Sequence, residues 1–302
     1  MTYGIIGTGA IGGYYGARMA RAGHDVHFLL HSDYDHVREH GLQVYSHEGD
    51  FHLEHPHIYK DTHAMPRCDV VFVGLKTNNN HLLPQLLPPL LHAGTLVLLI
   101  QNGIGVEADV QRMLPDVRLV AGLAFICSAK TEPGVVRHQF YGSINIGNYS
   151  CPDTALVDHL VDELREAGIE ANLVDYQTAR WRKAVWNMPF NGMTVALHCQ
   201  TRDLMTQPDS RRIIWEQMME VCRAAQALGV EGVDEPFAQK MMQMTDDMVP
   251  YSPSMRLDWD HRRPMEIEYL YTRPLQLARE AGQPMPRLEM LEAELRFISQ
   301  RR

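Results

Sequence analysis

The first twelve residues constrain this chain more than any other stretch. Tyr3-Gly-Ile-Ile6 is a short apolar strand pattern, and Gly7-Thr-Gly-Ala-Ile-Gly12 follows it at once, ahead of a helical segment from Tyr14 to Arg21. Strand, glycine turn and helix in that order meet the physical requirement of a dinucleotide-binding turn. Gly7 makes the tight turn, Gly9 lets a pyrophosphate approach the backbone, and Gly12 lets helix and strand pack closely, with Thr8, Ala10 and Ile11 completing the cradle. The helix N-terminus, carrying unpaired N–H groups and the positive end of the helix dipole, then faces the phosphates. Gly23 ends the helix, and Asp25 to Leu30 reads as a second strand. An incidental glycine-rich turn is the bland alternative, and it gives no reason for this sequence of elements.

The segments that follow continue an α/β pattern. Asp69-Val-Val-Phe-Val-Gly-Leu75 is nearly continuous in apolar residues, as expected of a strand buried on both faces of a parallel sheet. Pro84, Pro88 and Pro89 break the helix after it, and Thr95 to Ile100 gives another buried strand. Residues at the carboxyl ends of parallel strands face the ligand crevice, which places Lys76 and Asn102 near a cofactor or substrate. Taken alone, they read equally as a surface lysine and a turn-forming Asn-Gly. From about Ala121 to Gly147 the chain turns β-rich around Pro133-Gly134. An amphipathic helix from about Thr154 to Ala167 and a strand near Ala171 to Val174 close this domain.

Beyond residue 174 the pattern is helical. In Arg180-Trp-Arg-Lys-Ala-Val-Trp-Asn-Met-Pro-Phe-Asn191, Lys183, Asn187 and Asn191 recur every four residues, so a helix stacks them on one face where they can address one small ligand. Trp181, Val185, Trp186, Met188 and Phe190 offer apolar surface elsewhere around that helix; a solvated lysine flanked by surface amides is the competing reading. Asp209-Ser210 is a plausible cap for a stripe of Ile214, Met218, Val221, Cys222, Ala225 and Leu228 that Gly229 stops. Ser254 and Asp258 lie one turn apart in the next helix, followed by Glu266. Serine at a helix start is most often a cap, and a glutamate beside Arg262 and Arg263 most often a solvated ion pair.

Composition removes several classes of function. The 302 residues, 45% hydrophobic and 22% charged, suit two domains with separate cores. A net charge of -9 without a basic run argues against nucleic acid. The five cysteines are scattered and form no C-x-x-C pair, which suits free thiols in a reducing cytoplasm. No signal-peptide core precedes the first strand, and no 18-residue apolar run follows, so no membrane partner is expected. Sixteen histidines without a spacing such as H-E-x-x-H read as structural or surface residues, and no metal is expected.

Together, Gly7 to Gly12, Lys76, Asn102-Gly103, the Lys183, Asn187, Asn191 row, Ser254-Met255-x-x-Asp258, Glu266-Ile267-x-Tyr269 and Gly282-Gln-Pro-Met-Pro286 resemble, in order, the ketopantoate reductase (2-dehydropantoate 2-reductase) family over nearly the whole chain. The resemblance implies a Rossmann-type dinucleotide-binding domain over 1–174 and an all-helical substrate domain over 175–302. It also implies NADPH-dependent reduction of a 2-oxo acid, making pantoate for pantothenate and coenzyme A. By the same resemblance Lys183 is the proton donor and Glu266 orients it. Asn187, Asn191 and Ser254 hold the substrate, and Asn102 lies between nicotinamide and substrate. Gly7 to Gly12, His31, Lys76, a backbone position near Phe140 in His138-x-x-x-Gly142, Asn102 and Glu266 belong to the cofactor site.

The chain departs from the family pattern in three places. Pro189 falls inside the Lys183 helix and is expected to kink it, which leaves open whether Asn191 stays on the lysine's face. Tyr271-Thr-Arg273 stands where the family usually has Asn-Gly. His31 stands where an arginine commonly meets the 2′-phosphate of NADP. NADPH is therefore favoured with NADH left open, a homodimer is also left open, and two other readings are carried: a reductase of a different 2-oxo acid, and a non-enzymatic NAD(P)-binding sensor.

Overall fold

The structure, a computed structural model, describes residues 1–301. The chain forms two compact units: Met1–Gln101 with Glu107–Tyr176, and Asn102–Val106 with Gln177–Arg302. The changeover at Tyr176 lies two residues from the expected boundary. No feature of the residue pattern signals that Asn102–Val106 packs with the second unit.

The first unit is built on a ten-stranded sheet. Its strands are β1 (Thr2–Ile6), β2 (Asp25–Leu29), β3 (Leu42–Ser46), β4 (Phe51–Leu53), β5 (His57–Tyr59), β6 (Val70–Val73), β7 (Leu96–Leu99), β8 (Arg118–Glu132), β9 (Val135–Asn148) and β10 (Ala171–Val174). The order β5-β2-β1-β6-β7-β8 is parallel throughout. The chain sets β2 on one side of β1, crosses to the opposite edge of the sheet for β3 and β4, returns to pair β5 with β2, and then pairs β6 with the other side of β1. That reversal is the topological switch point of a doubly wound sheet, where a crevice opens beyond the carboxyl ends of the strands. β6 and β7 are buried along their whole length, which explains why their sequences do not alternate.

β8 and β9 form a long antiparallel hairpin that turns at Gly134, whose φ is 68°. The register slips where Gly142 and Gln139 face no partner, and Gly142, at φ 126°, adopts a backbone that favours glycine. The hairpin reaches the first helix, Ala10–Arg21: the Ser128 hydroxyl donates to the Ala10 carbonyl at 3.3 Å. The proline-rich segment after β6 is broken as expected, into short turns over Thr77–Leu82, Leu83–Leu86 and Pro88–Leu90.

The second unit is helical. Helix Tyr176–Ala196 enters it, and the helices Thr201–Thr206, Pro208–Ala227, Glu235–Asp247, Ser254–Asp260, Arg273–Glu280 and Pro286–Ser299 follow, with a π-helical turn at Glu268–Thr272. Its core gathers Trp181, Val185, Met188 and Phe190 with the methionine-rich stripe of Ile214, Met218, Val221 and Cys222. Asp209-Ser210 is not the cap of that stripe. Pro208 is the first helical residue, and the Gln207 side chain accepts the Ser210 N–H at 2.8 Å. Among the described residues no helix is long and apolar enough to cross a membrane, and no three His, Cys, Asp or Glu side chains gather into a metal-holding group.

Candidate active site

In the first unit the site is shaped by absent side chains. A Cβ on Gly12 would lie 2.4 Å from the Gly7 carbonyl oxygen, and one on Gly7 would lie 2.5 Å from the Leu75 nitrogen. Gly74, after β6, is equally committed: its Cβ would lie 2.9 Å from Gly12 N and from Gly7 O. Its own N–H donates to Ile6 at 2.8 Å. The loops after β1 and β6 therefore interlock backbone to backbone, a requirement the sequence reading missed at Gly74. At Gly9, by contrast, a Cβ would meet nothing within 4 Å. Gly9 is also the N-cap of Ala10–Arg21, makes no side-chain cap bond, and is followed by no acidic residue in the first helical turn. Open space against an uncapped, uncharged helix N-terminus suits a pyrophosphate.

Around this turn the other expected cofactor residues are arranged unequally. Lys76 is exposed directly after Leu75, whose carbonyl is held by Gln101 Nε2 at 2.7 Å. His31 and Ser32 are exposed just past β2. Asp33, which could have read a ribose as in NAD enzymes, is buried and committed elsewhere. It pairs with Lys130, accepts the Gly134 N–H at 3.0 Å, and accepts the Ser32 hydroxyl at 3.0 Å. These partners hold its carboxyl below the usual range despite burial. Phe140 is exposed on β9, near His47.

In the second unit a small cleft, partly open to solvent, is walled by helix Tyr176–Ala196. Arg180, Lys183, Ala184, Asn187 and Met188 face it, the three-and-four spacing of one helical stripe. Gly103, Ile104, Tyr269, Leu270 and Pro274 close the other side. Gly103 and Tyr269 meet too closely for any side chain at 103: a Cβ there would lie 2.5 Å from Tyr269 Cβ, and Gly103 has φ 106°. The Ile104 N–H donates to the Tyr269 carbonyl at 2.9 Å, so the segment that begins at Asn102 is sewn to the π-helical turn.

Lys183 is only partly exposed, and its ammonium pKa falls from 10.5 to about 7. Burial is the largest cause, the like charge of Arg180 adds to it, and the Glu266 carboxylate opposes both. Glu266 itself is buried at 4% exposure. Arg180, at 3% exposure, is a cleft residue the sequence reading passed over, although its position three residues before Lys183 puts it on the same stripe.

Asn191 has a different place from the one expected. Pro189 leaves the helix continuous, yet Asn191 does not line the cleft. Its Nδ2 donates to the Asn187 carbonyl at 3.0 Å, and its Oδ1 accepts the Met255 N–H at 3.0 Å. It thereby caps helix Ser254–Asp260 from another helix, the job expected of Ser254. Ser254 is the first residue inside that helix and makes no cap bond; its hydroxyl lies 3.4 Å from Asn191 Oδ1. Asp258 is buried against Arg263 at 3.0 Å.

Comparison with known proteins supplies the family. The model described as ketopantoate reductase PanE/ApbA matches residues 3–150, and that of its C-terminal region matches 175–299. A 2-dehydropantoate 2-reductase of Nostoc sp. is 42% identical, the match covering 99% of this chain and 95% of that protein. The crystal structure of 2-dehydropantoate 2-reductase from Geobacter metallireducens superposes with TM-score 0.95 at 37% identity, covering 99% of this chain and 100% of the other. That from Methylococcus capsulatus does so with TM-score 0.91 at 31% identity, covering 100% and 97%. With its doubly wound sheet, glycine turn and lysine-walled cleft, the chain belongs to the ketopantoate reductase family.

Proposed function

We propose that this protein reduces 2-dehydropantoate to pantoate with NADPH. The observation that carries the proposal is the cleft itself: a lysine with a pKa near 7, beside a buried carboxylate, on the helix that also presents Asn187. A bound nicotinamide cofactor supplies the hydride that reaches the keto carbon. Lys183, as the ammonium, stabilises the charge developing on the keto oxygen and then donates its proton there, completing the alcohol. Its pKa lies where proton donation is efficient at neutral pH. Glu266 keeps it protonated against the pull of burial and Arg180. Asn187, Asn102 and Ser254 are proposed to contact the oxo acid.

Gly7 to Gly12 and Lys76 are the residues that would hold the dinucleotide, with the backbone near Phe140 beside them. Withdrawal of Asp33 into its pair with Lys130 supports NADPH over NADH, because the carboxylate that would bind a free ribose diol, and repel a 2′-phosphate, is occupied. His31 and Ser32 are left to meet that phosphate. Turnover of 2-dehydropantoate beside its nearest 2-oxo acid analogues, followed by NADPH absorbance, tests the proposal. Preference for another oxo acid would move the substrate assignment and leave the chemistry in place. Cofactor binding without any turnover would support a sensor.

A further inference from the structure

Helix Tyr176–Ala196, which walls the cleft, runs on through Pro189. The proline removes the backbone donor that would meet the Val185 carbonyl, four residues earlier. In the turn that follows, the carbonyls of Asn187 and Met188 each receive a side-chain donor. Asn187 O takes Asn191 Nδ2 at 3.0 Å, and Met188 O takes the Tyr271 hydroxyl at 2.5 Å. The Gly192 N–H, the ordinary partner of the Met188 carbonyl, reaches the Tyr271 oxygen. The tyrosine hydroxyl thus stands against the helical ladder at Met188 and Gly192 and ties it to the neighbouring turn. Gly192 permits it, since a Cβ there would stand 2.5 Å from that oxygen. Tyr271 is fully buried and belongs to the π-helical turn whose Tyr269 and Leu270 form the opposite wall of the cleft.

We infer that Tyr271 is a positioning residue for the reduction: by tying Met188 of helix Tyr176–Ala196 to the π-helical turn, it fixes the spacing between the wall that carries Asn187 and the wall that carries Tyr269. The inference rests on the reduction proposed for this cleft.

The test is Tyr271→Phe in the full-length protein, alone and combined with Asn187→Ala. The single variant lowers kcat/KM for the oxo acid about tenfold and leaves the KM for NADPH unchanged. In the Asn187→Ala background the further loss is under about twofold, because the tyrosine acts through the wall that carries the asparagine. Amide exchange over residues 185–195 accelerates about threefold to tenfold, while residues 208–227 are unaffected. Additive losses, or unchanged exchange, would overturn the inference. If the wild-type protein turns over no oxo acid, the reduction falls, and the exchange measurement still decides whether Tyr271 braces the helix.

Discussion

The glycine turn of the first unit and the helix wall of the second, the two surfaces proposed to hold cofactor and substrate, are built by opposite means. At Gly7, Gly12 and Gly74 the backbone strands approach so closely that one added carbon collides, and at Gly9 a space is kept open beside a helix N-terminus. At Arg180, Lys183 and Asn187 the backbone is an ordinary helix, and the work is done by charge and hydrogen-bonding groups that project into a cleft. The first surface fails when anything is added. The second fails when the right group is taken away, and tolerates changes of shape better than changes of charge.

The largest expected effect sharpens that contrast. Lys183→Ala lowers kcat by ~10²- to 10⁴-fold, the usual worth of general-acid assistance, while NADPH affinity measured by fluorescence titration stays within about twofold. Equal loss of cofactor binding would mean that the lysine belongs to the nucleotide surface. Gly12→Ala is the converse: its methyl group would press on the Gly7 carbonyl, and overpacking of this kind costs about 1–3 kcal/mol, so NADPH affinity falls about tenfold or more. Retained affinity would break the claim that the turn is set by steric exclusion.

Smaller effects separate residues that look alike. Asn191→Ala strips the Met255 N–H of its acceptor and lowers unfolding stability by about 1–3 kcal/mol. Asn187→Ala leaves stability nearly unchanged and raises the KM for the oxo acid. If Asn191→Ala instead raised KM with no loss of stability, its hydrogen bonds to Met255 and Asn187 would not be its main role. The smallest effect concerns His31. It is exposed just past β2, and His31→Arg, which puts a permanently charged bidentate donor there, raises the preference for NADPH over NADH severalfold. A ratio unchanged by the arginine would take His31 out of phosphate recognition.

The two surfaces were unequally legible in the sequence for the same reason that they differ physically. A turn with no room for side chains must be glycine, so Gly7-Thr-Gly-Ala-Ile-Gly12 announces itself, and the apolar runs of β6 and β7 announce a sheet covered on both faces. Gly74 escaped because it lies in an apolar run with no motif around it. A row of amides on a helix carries less information. Asn187 and Asn191 have the same spacing from each other as Lys183 and Asn187, yet one lines the cleft and the other caps a neighbouring helix. Which of these an amide does depends on what packs against it, and here that is Met255, 64 residues away. Tyr271 and the segment Asn102–Val106 were obscure for the same reason: their roles lie in contacts distant along the chain.

The account turns on a lysine made acidic by burial and by Arg180, and held from further loss by Glu266. Its most direct test is kcat for 2-dehydropantoate reduction at saturating NADPH between pH 5.5 and 9.5. Because the ammonium is the active form, kcat is constant on the acid side and falls about tenfold per pH unit above the lysine's pKa, with a midpoint near pH 7. In Glu266→Gln, which removes the group that favours the ammonium, the midpoint moves to lower pH. A profile flat through pH 9, or a midpoint that does not move in Glu266→Gln, would contradict the account of Lys183 as the proton donor.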